Sequence, residues 1–107
     1  MGKKRRLPEV SGHLLSGSLL GQPVTRTLDL HGKTTAEARR MVTDFILTTS
    51  RGASGRVVRI ITGKGTRSAR QAVLRPLVRH WLETDLARFL EAISPDTDGG
   101  SYLVRLK

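Results

Sequence analysis

Apolar and polar positions alternate first at residues 26–31, where Leu28 and Leu30 fall on one side and Asp29 and His31 on the other. Period-two spacing of this kind predicts a short strand with one buried face. The spacing then changes. Ala38, Met41, Val42, Phe45, Ile46 and Thr49 recur at helical intervals and predict an amphipathic helix over about 35–51. Thr34 with Glu37 three residues later supplies a capping box at its start, and Gly52 and Gly55 end it. "RVVRIIT" (56–62) is β-branched and nearly continuous, as in a central strand. Val73, Leu74, Leu77, Val78, Trp81 and Leu82 form a second helical stripe. Proline is tolerated in a first helical turn but not deeper, so Pro76 predicts a start near Ala72 or Val73. "RFLEAI" (88–93) and "YLVRLK" (102–107) read as two further strands joined by the turn-rich "SPDTDGGS". The order is β-α-β-α-β-β. It predicts an α/β (α+β) two-layer sandwich: a mixed four-stranded sheet with two helices on one face, the other face being less covered.

A chain of 107 residues fits one domain. Aromatic residues make up only 4%, so Val, Ile and Leu must build most of the core. Residues 1–25 are Gly/Ser-rich, weakly periodic and carry "KKRR"; they read as a flexible basic arm ahead of a domain spanning 26–107. Within the arm, Leu14, Leu15, Leu19 and Leu20 could dock locally on that domain.

Charge adds most to this picture. The formal net charge is +10, and 14 basic against 8 acidic residues lie beyond Arg26, so the excess is not confined to the arm. A basic domain concentrates polyanions, of which nucleic acid is the commonest; a ribosomal surface and anionic lipid are the alternatives. No acid occurs between Asp44 and Glu83, while that stretch holds Arg51, Arg56, Arg59, Lys64, Arg67, Arg70, Arg75 and Arg79. Trp81 and Tyr102 fall in core patterns, so recognition of backbone and shape is expected rather than base stacking. The absence of cysteine excludes disulfides and thiol chemistry. No apolar run reaches the ~20 residues of a membrane span, and the N-terminal stretch is a poor signal peptide. A cytoplasmic protein is the default expectation.

Two clusters carry candidate chemistry. Asp29 and His31 lie near the C-terminal end of a strand, where open α/β sheets place ligand sites. A carboxylate beside an imidazole can fix its tautomer, and such a histidine can serve as general acid or base in phosphodiester cleavage. Two structural alternatives stay open. Asp29 can pair with Arg59 or Arg105 across the exposed sheet face, and His31 can stabilise a turn. In "TGKG" (62–65), Gly63 and Gly65 permit close backbone approach, and free amides there with Lys64 suit a phosphate. The spacing is not that of a nucleotide-binding P-loop. No histidine pair has helical metal spacing. Asp96 and Asp98 read as a solvated turn before a divalent-ion site.

"LDLHG" (28–32), "TGKG" (62–65) and "GSYLVRL" (100–106) together resemble the three signature blocks of the Smr (small MutS-related) domain family, in the family's order. "VLRPLVRHWL" (73–82) also resembles the family's second helix. The resemblance covers about residues 26–107. It implies a fold similar to the C-terminal domain of translation initiation factor three, and nucleic-acid binding with nicking-type endonuclease activity on DNA or RNA. It implies His31 and Asp29 as catalytic candidates, joined by Lys64. Gly32, Lys33, Gly63, Lys64, Gly65, Arg67, Arg70, Arg59 and Arg105 are the nucleic-acid-binding candidates. Mg²⁺ or Mn²⁺ would be the divalent ion if cleavage needs one. A binding module without catalysis, for structured nucleic acid or ribosomes, is the alternative; a protein-interaction domain is a third reading. The loop from Thr66 to Ala72 departs from the family by carrying Arg67 and Arg70 where many relatives have glycines.

Overall fold

The computed structural model describes residues 19–52, 55–63, 69–97 and 99–107. Their order is β1 (Val24–Asp29), α1 (Thr35–Gly52), β2 (Val57–Ile61), α2 (Ala69–Glu83), a short 3-10 turn (Ala87–Phe89), β3 (Leu90–Pro95) and β4 (Ser101–Leu106). The sheet runs β1-β2-β4-β3. β1 and β2 are parallel, and β4 is antiparallel to both β2 and β3. The mixed four-stranded α+β arrangement is the one expected from the order of elements.

One sheet face meets both helices. Val58, Ile60, Tyr102, Val104 and Ile93 point to α1 through Val42, Phe45 and Ile46, and to α2 through Leu74, Val78, Trp81 and Leu82. The capping box forms as the spacing predicts. Thr34 Oγ1 accepts the Glu37 N–H at 3.1 Å, and Glu37 Oε1 accepts the Thr34 N–H at 2.9 Å. These bonds satisfy two backbone donors that a helix start leaves without intrahelical partners. They also hold the Glu37 carboxyl below its ordinary range, the backbone N–H of Thr34 first.

The opposite face is partly covered. Leu19, 0% exposed, packs with Val57, Ala92, Leu103 and Val24 in a second apolar cluster. Arg105 donates to the Gln22 side chain beside it. Leu19 thus docks on the domain, as the sequence reading allowed, and β1 starts at Val24 rather than Arg26. The sequence pattern could not pair Leu19 with β2, β3 and β4, because those contacts are distant along the chain. Leu20 is exposed, and Leu14 and Leu15 lie outside the described residues.

α2 also departs from expectation. It begins at Ala69, so Pro76 stands inside the helix. Proline removes the donor to the Ala72 carbonyl, but Ala72 and Pro76 are both exposed, where water can take that carbonyl. Burial of Leu74, Val78 and Leu82 outweighs a local penalty of about 3 kcal/mol. Val73 is 51% exposed and leaves the predicted stripe. β3 begins at Leu90, after the 3-10 turn has used Arg88 and Phe89. No helix among the described residues is long and apolar enough to cross a membrane.

Candidate nucleic-acid interface

The C-terminal ends of β1, β2 and β3 and the N-terminal end of β4 meet at one edge of the sheet. Asp29 pairs with Ile61, and Ile61 with Ser101. The ladder continues one bond past β1, with the Leu30 N–H donating to Ile61 O at 2.9 Å. The chain then turns at once: the Lys33 N–H returns to Leu30 O at 3.0 Å. Gly32 occupies the turn position that requires positive φ, and its φ is +77°. His31 therefore sits in a turn just beyond the strand, exposed to solvent, and not on the strand face with Asp29.

Asp29 is oriented by this turn. Its Oδ1 accepts the backbone N–H of His31 at 2.9 Å. This corrects two expectations. The carboxylate holds the His31 main chain rather than setting the ring's tautomer. It also pairs with neither arginine: Arg59 binds Asp96 at 2.9 Å, and Arg105 binds Gln22. An aspartate two residues before an N–H forms a local Asx-type turn, which was within reach without any cross-strand partner.

The second motif is anchored from across the sheet. Thr62 is fully buried. The Thr62 and Gly63 N–H groups both donate to Gly100 O, at 2.9 and 3.0 Å. The Thr62 hydroxyl lies 3.3 Å from Gly100 O and 3.0 Å from Gly63 O. Gly63, with φ +87°, turns the chain out of the sheet here. Its amide is thus committed to the fold, contrary to the expectation of a free donor for phosphate. The His31, Lys33 and Thr34 amides are likewise taken, by Asp29, Leu30 and Glu37. Among the described residues, these amides are engaged within the fold.

The remaining predicted residues divide. Lys33 lies beside His31 and is partly exposed. Lys64, Gly65 and Arg67 lie outside the described residues, as does the side chain of Arg70. Arg105 is four residues along β4 from Ser101, or ~14 Å at strand spacing, and pairs with Val57 near the far end of the sheet. Arg51 and Arg56 are also at that far end, where α1 finishes and β2 begins. The acid-free window is less uncompensated than it reads in sequence. Arg59 and Arg79 reach Asp96 and Glu83, at 2.9 and 3.2 Å. Arg75 stacks over Tyr102, 4.4 Å from its ring centre.

The β3–β4 turn holds a cluster that sequence reading undervalued. Asp96 Oδ1 accepts the Thr97 N–H at 2.7 Å, and Oδ2 accepts from Ser101 Oγ at 3.2 Å and Arg59 Nε at 2.9 Å. Burial acts to raise the Asp96 pKa, but these donors together hold it below the usual carboxylate range. The signal available was Asp96 inside a turn-forming stretch; its partner Arg59 is 37 residues away. Among the described residues, no three histidine or carboxylate groups gather as a metal-ligand set. Asp98 lies outside them.

The chain forms an α+β domain with a mixed sheet, helices on one face, and a polar, turn-built edge at the carboxyl ends of its parallel strands, the place where open α/β sheets bind ligands. The chain belongs to the Smr domain family, whose model matches residues 28–107. Smr domains form a nucleic-acid-binding, nuclease-type family. No curated protein and no solved structure matches the chain.

Proposed function

We propose that this domain binds DNA or RNA through the phosphate backbone and nicks a phosphodiester beside the β1 end, with His31 as general acid or base. The observation that carries this reading is the Asp29–His31 turn. An exposed imidazole is attached to a main chain that a carboxylate fixes at 2.9 Å, at the sheet edge where Gly63 also emerges. A reacting group held by rigid backbone stays near a productive geometry, which supplies much of the rate in positioned proton transfer. Asp29 acts as a positioning residue. Lys33, with Lys64, Arg67 and Arg70 on the segment after Gly63, supplies positive charge for adjacent phosphates. His31 can activate water or a 2′-hydroxyl, or can work beside a divalent ion. On this reading the substrate is a cytoplasmic nucleic acid, ribosomal RNA included.

The test is a nicking assay on matched structured and single-stranded DNA and RNA, with and without Mg²⁺ and Mn²⁺. Wild type should cut at least one substrate, and His31→Ala should bind it but not cut it. Salt-sensitive binding with no cleavage under any condition would make the domain a binding module instead.

A further inference from the structure

The Gly63 amide is held by one carbonyl, that of Gly100, and this carbonyl belongs to the β3–β4 turn. What fixes that turn therefore fixes the start of the second motif. The turn is closed by its own backbone, with the Asp96 N–H donating to Ser101 O at 3.0 Å and the Gly99 N–H to Asp96 O at 3.2 Å. Its side chains close it a second time. Asp96 receives the Thr97 N–H, the Ser101 hydroxyl and the Arg59 guanidinium. Its side chain is 12% exposed, so little of it remains for solvent or a ligand.

Arg59 reaches Asp96 from the middle of β2, over the intervening strand β4, on the face away from the helices. It lies opposite Leu103 of β4, which in turn lies opposite Ser94 of β3. The ion pair thus ties the second strand to the end of the third. Ser101 and Gly100 stand directly between them, with Gly100 buried and Ser101 0% exposed. A shift of Asp96 would move Ser101 first, then the Gly100 carbonyl, then the three polar groups of Thr62 and Gly63 gathered on it.

We infer that Arg59, Asp96 and Ser101 form a positioning clamp that acts through the Gly100 carbonyl to hold Thr62 and Gly63 in register with the His31 turn. On this inference Arg59 serves the site by holding Asp96 through its Nε. The catalytic consequence rests on the nuclease reading above; the clamp itself does not. Placement errors of about 1 Å at a reacting centre reduce rates by up to about a hundred-fold. Lys64, Arg67 and Arg70, the proposed phosphate contacts, follow Gly63 in the chain, so its displacement should weaken binding together with turnover.

Three variants test the clamp: Asp96→Asn, Arg59→Gln and Arg59→Lys. Amide hydrogen exchange is measured at Thr62 and Gly63, with Val58 and Ile60 as core references. Cleavage kinetics are taken well below each variant's melting temperature. Asp96→Asn and Arg59→Gln should accelerate exchange at Thr62 and Gly63 while Val58 and Ile60 stay protected. They should lower kcat/KM by about ten-fold or more, the pattern of a misplaced binding segment. Arg59→Lys, which keeps the charge, should recover most of both. Unchanged exchange at Gly63 in Asp96→Asn would overturn the clamp, as would a loss of kcat/KM shared equally by Arg59→Gln and Arg59→Lys. If wild type cleaves nothing, the nuclease reading fails, while faster Gly63 exchange in the variants still upholds the clamp.

Discussion

The β1 end and the β3–β4 turn each carry an aspartate that accepts a backbone N–H from close by in sequence. Asp29 takes the His31 amide at 2.9 Å, and Asp96 takes the Thr97 amide at 2.7 Å. Their second connections differ. Asp96 is closed in by Ser101 and Arg59 and is nearly buried. Asp29 is exposed, holds no arginine, and precedes an exposed histidine. A local bond from aspartate to a nearby backbone amide thus serves two ends. Where long-range partners surround the carboxylate, it locks a turn; where they do not, it leaves a reactive side chain at the surface on a fixed backbone. The proposed chemistry falls at the less crowded end.

This contrast can be broken or sharpened, beginning with the largest effect. His31→Ala should lower cleavage by about 10²–10⁴-fold, the usual contribution of a general acid or base, while leaving nucleic-acid affinity within about two-fold. Full activity in that variant would remove His31 from the chemistry. Asp29→Ala should cost about ten-fold to a hundred-fold in rate by releasing the His31 amide. Asp29→Asn keeps an acceptor oxygen and should stay close to wild type; equal losses in both variants would point to a role for the negative charge itself.

A smaller effect is expected just downstream, at the cap that follows the His31 turn. Thr34→Ala should destabilise the fold by about 1 kcal/mol in chemical denaturation, as N-cap truncations do. It should also loosen the His31 turn more than the β3–β4 turn, read by amide exchange at Lys33 and Gly99.

The subtlest difference should appear in acid. Asp96 and Glu37 are both held below their ordinary range. A lowered folded-state pKa stabilises the fold above the unfolded pKa, and that contribution is lost as pH falls through the folded value. Wild type should therefore lose stability as pH drops below the ordinary carboxylate range and through the lower folded values of Asp96 and Glu37. Asp96→Asn should flatten that decline in thermal melts across the acid range. An unchanged acid slope would mean that Asp96 gains nothing from Arg59 and Ser101.

Much of this was open to reading along the chain. The α1 stripe and its capping box depend on contacts three or four residues apart, and both formed where the spacing put them. The "LDLHG" turn is local too, although its hydrogen bond went to the His31 backbone rather than to the ring or an arginine. Readings failed where distant partners decided. A window of sequence showed eight cations without an acid, yet Asp96 lies beyond it and closes on Arg59. The first glycine of "TGKG", Gly63, looked like an anion donor until Gly100, 37 residues later, took its amide. The proline rule moved the start of α2 too late, because tertiary burial outweighs a local penalty on an exposed helix face.

The sequence by itself determined the element order, the capping box of α1, the family and the short stretch that bears the candidate histidine, since each is written in neighbouring residues. Tertiary structure alone decided which polar groups are left for a ligand. Backbone amides and charged side chains are satisfied by the nearest partner in space, and sheet pairing chooses that partner across tens of residues.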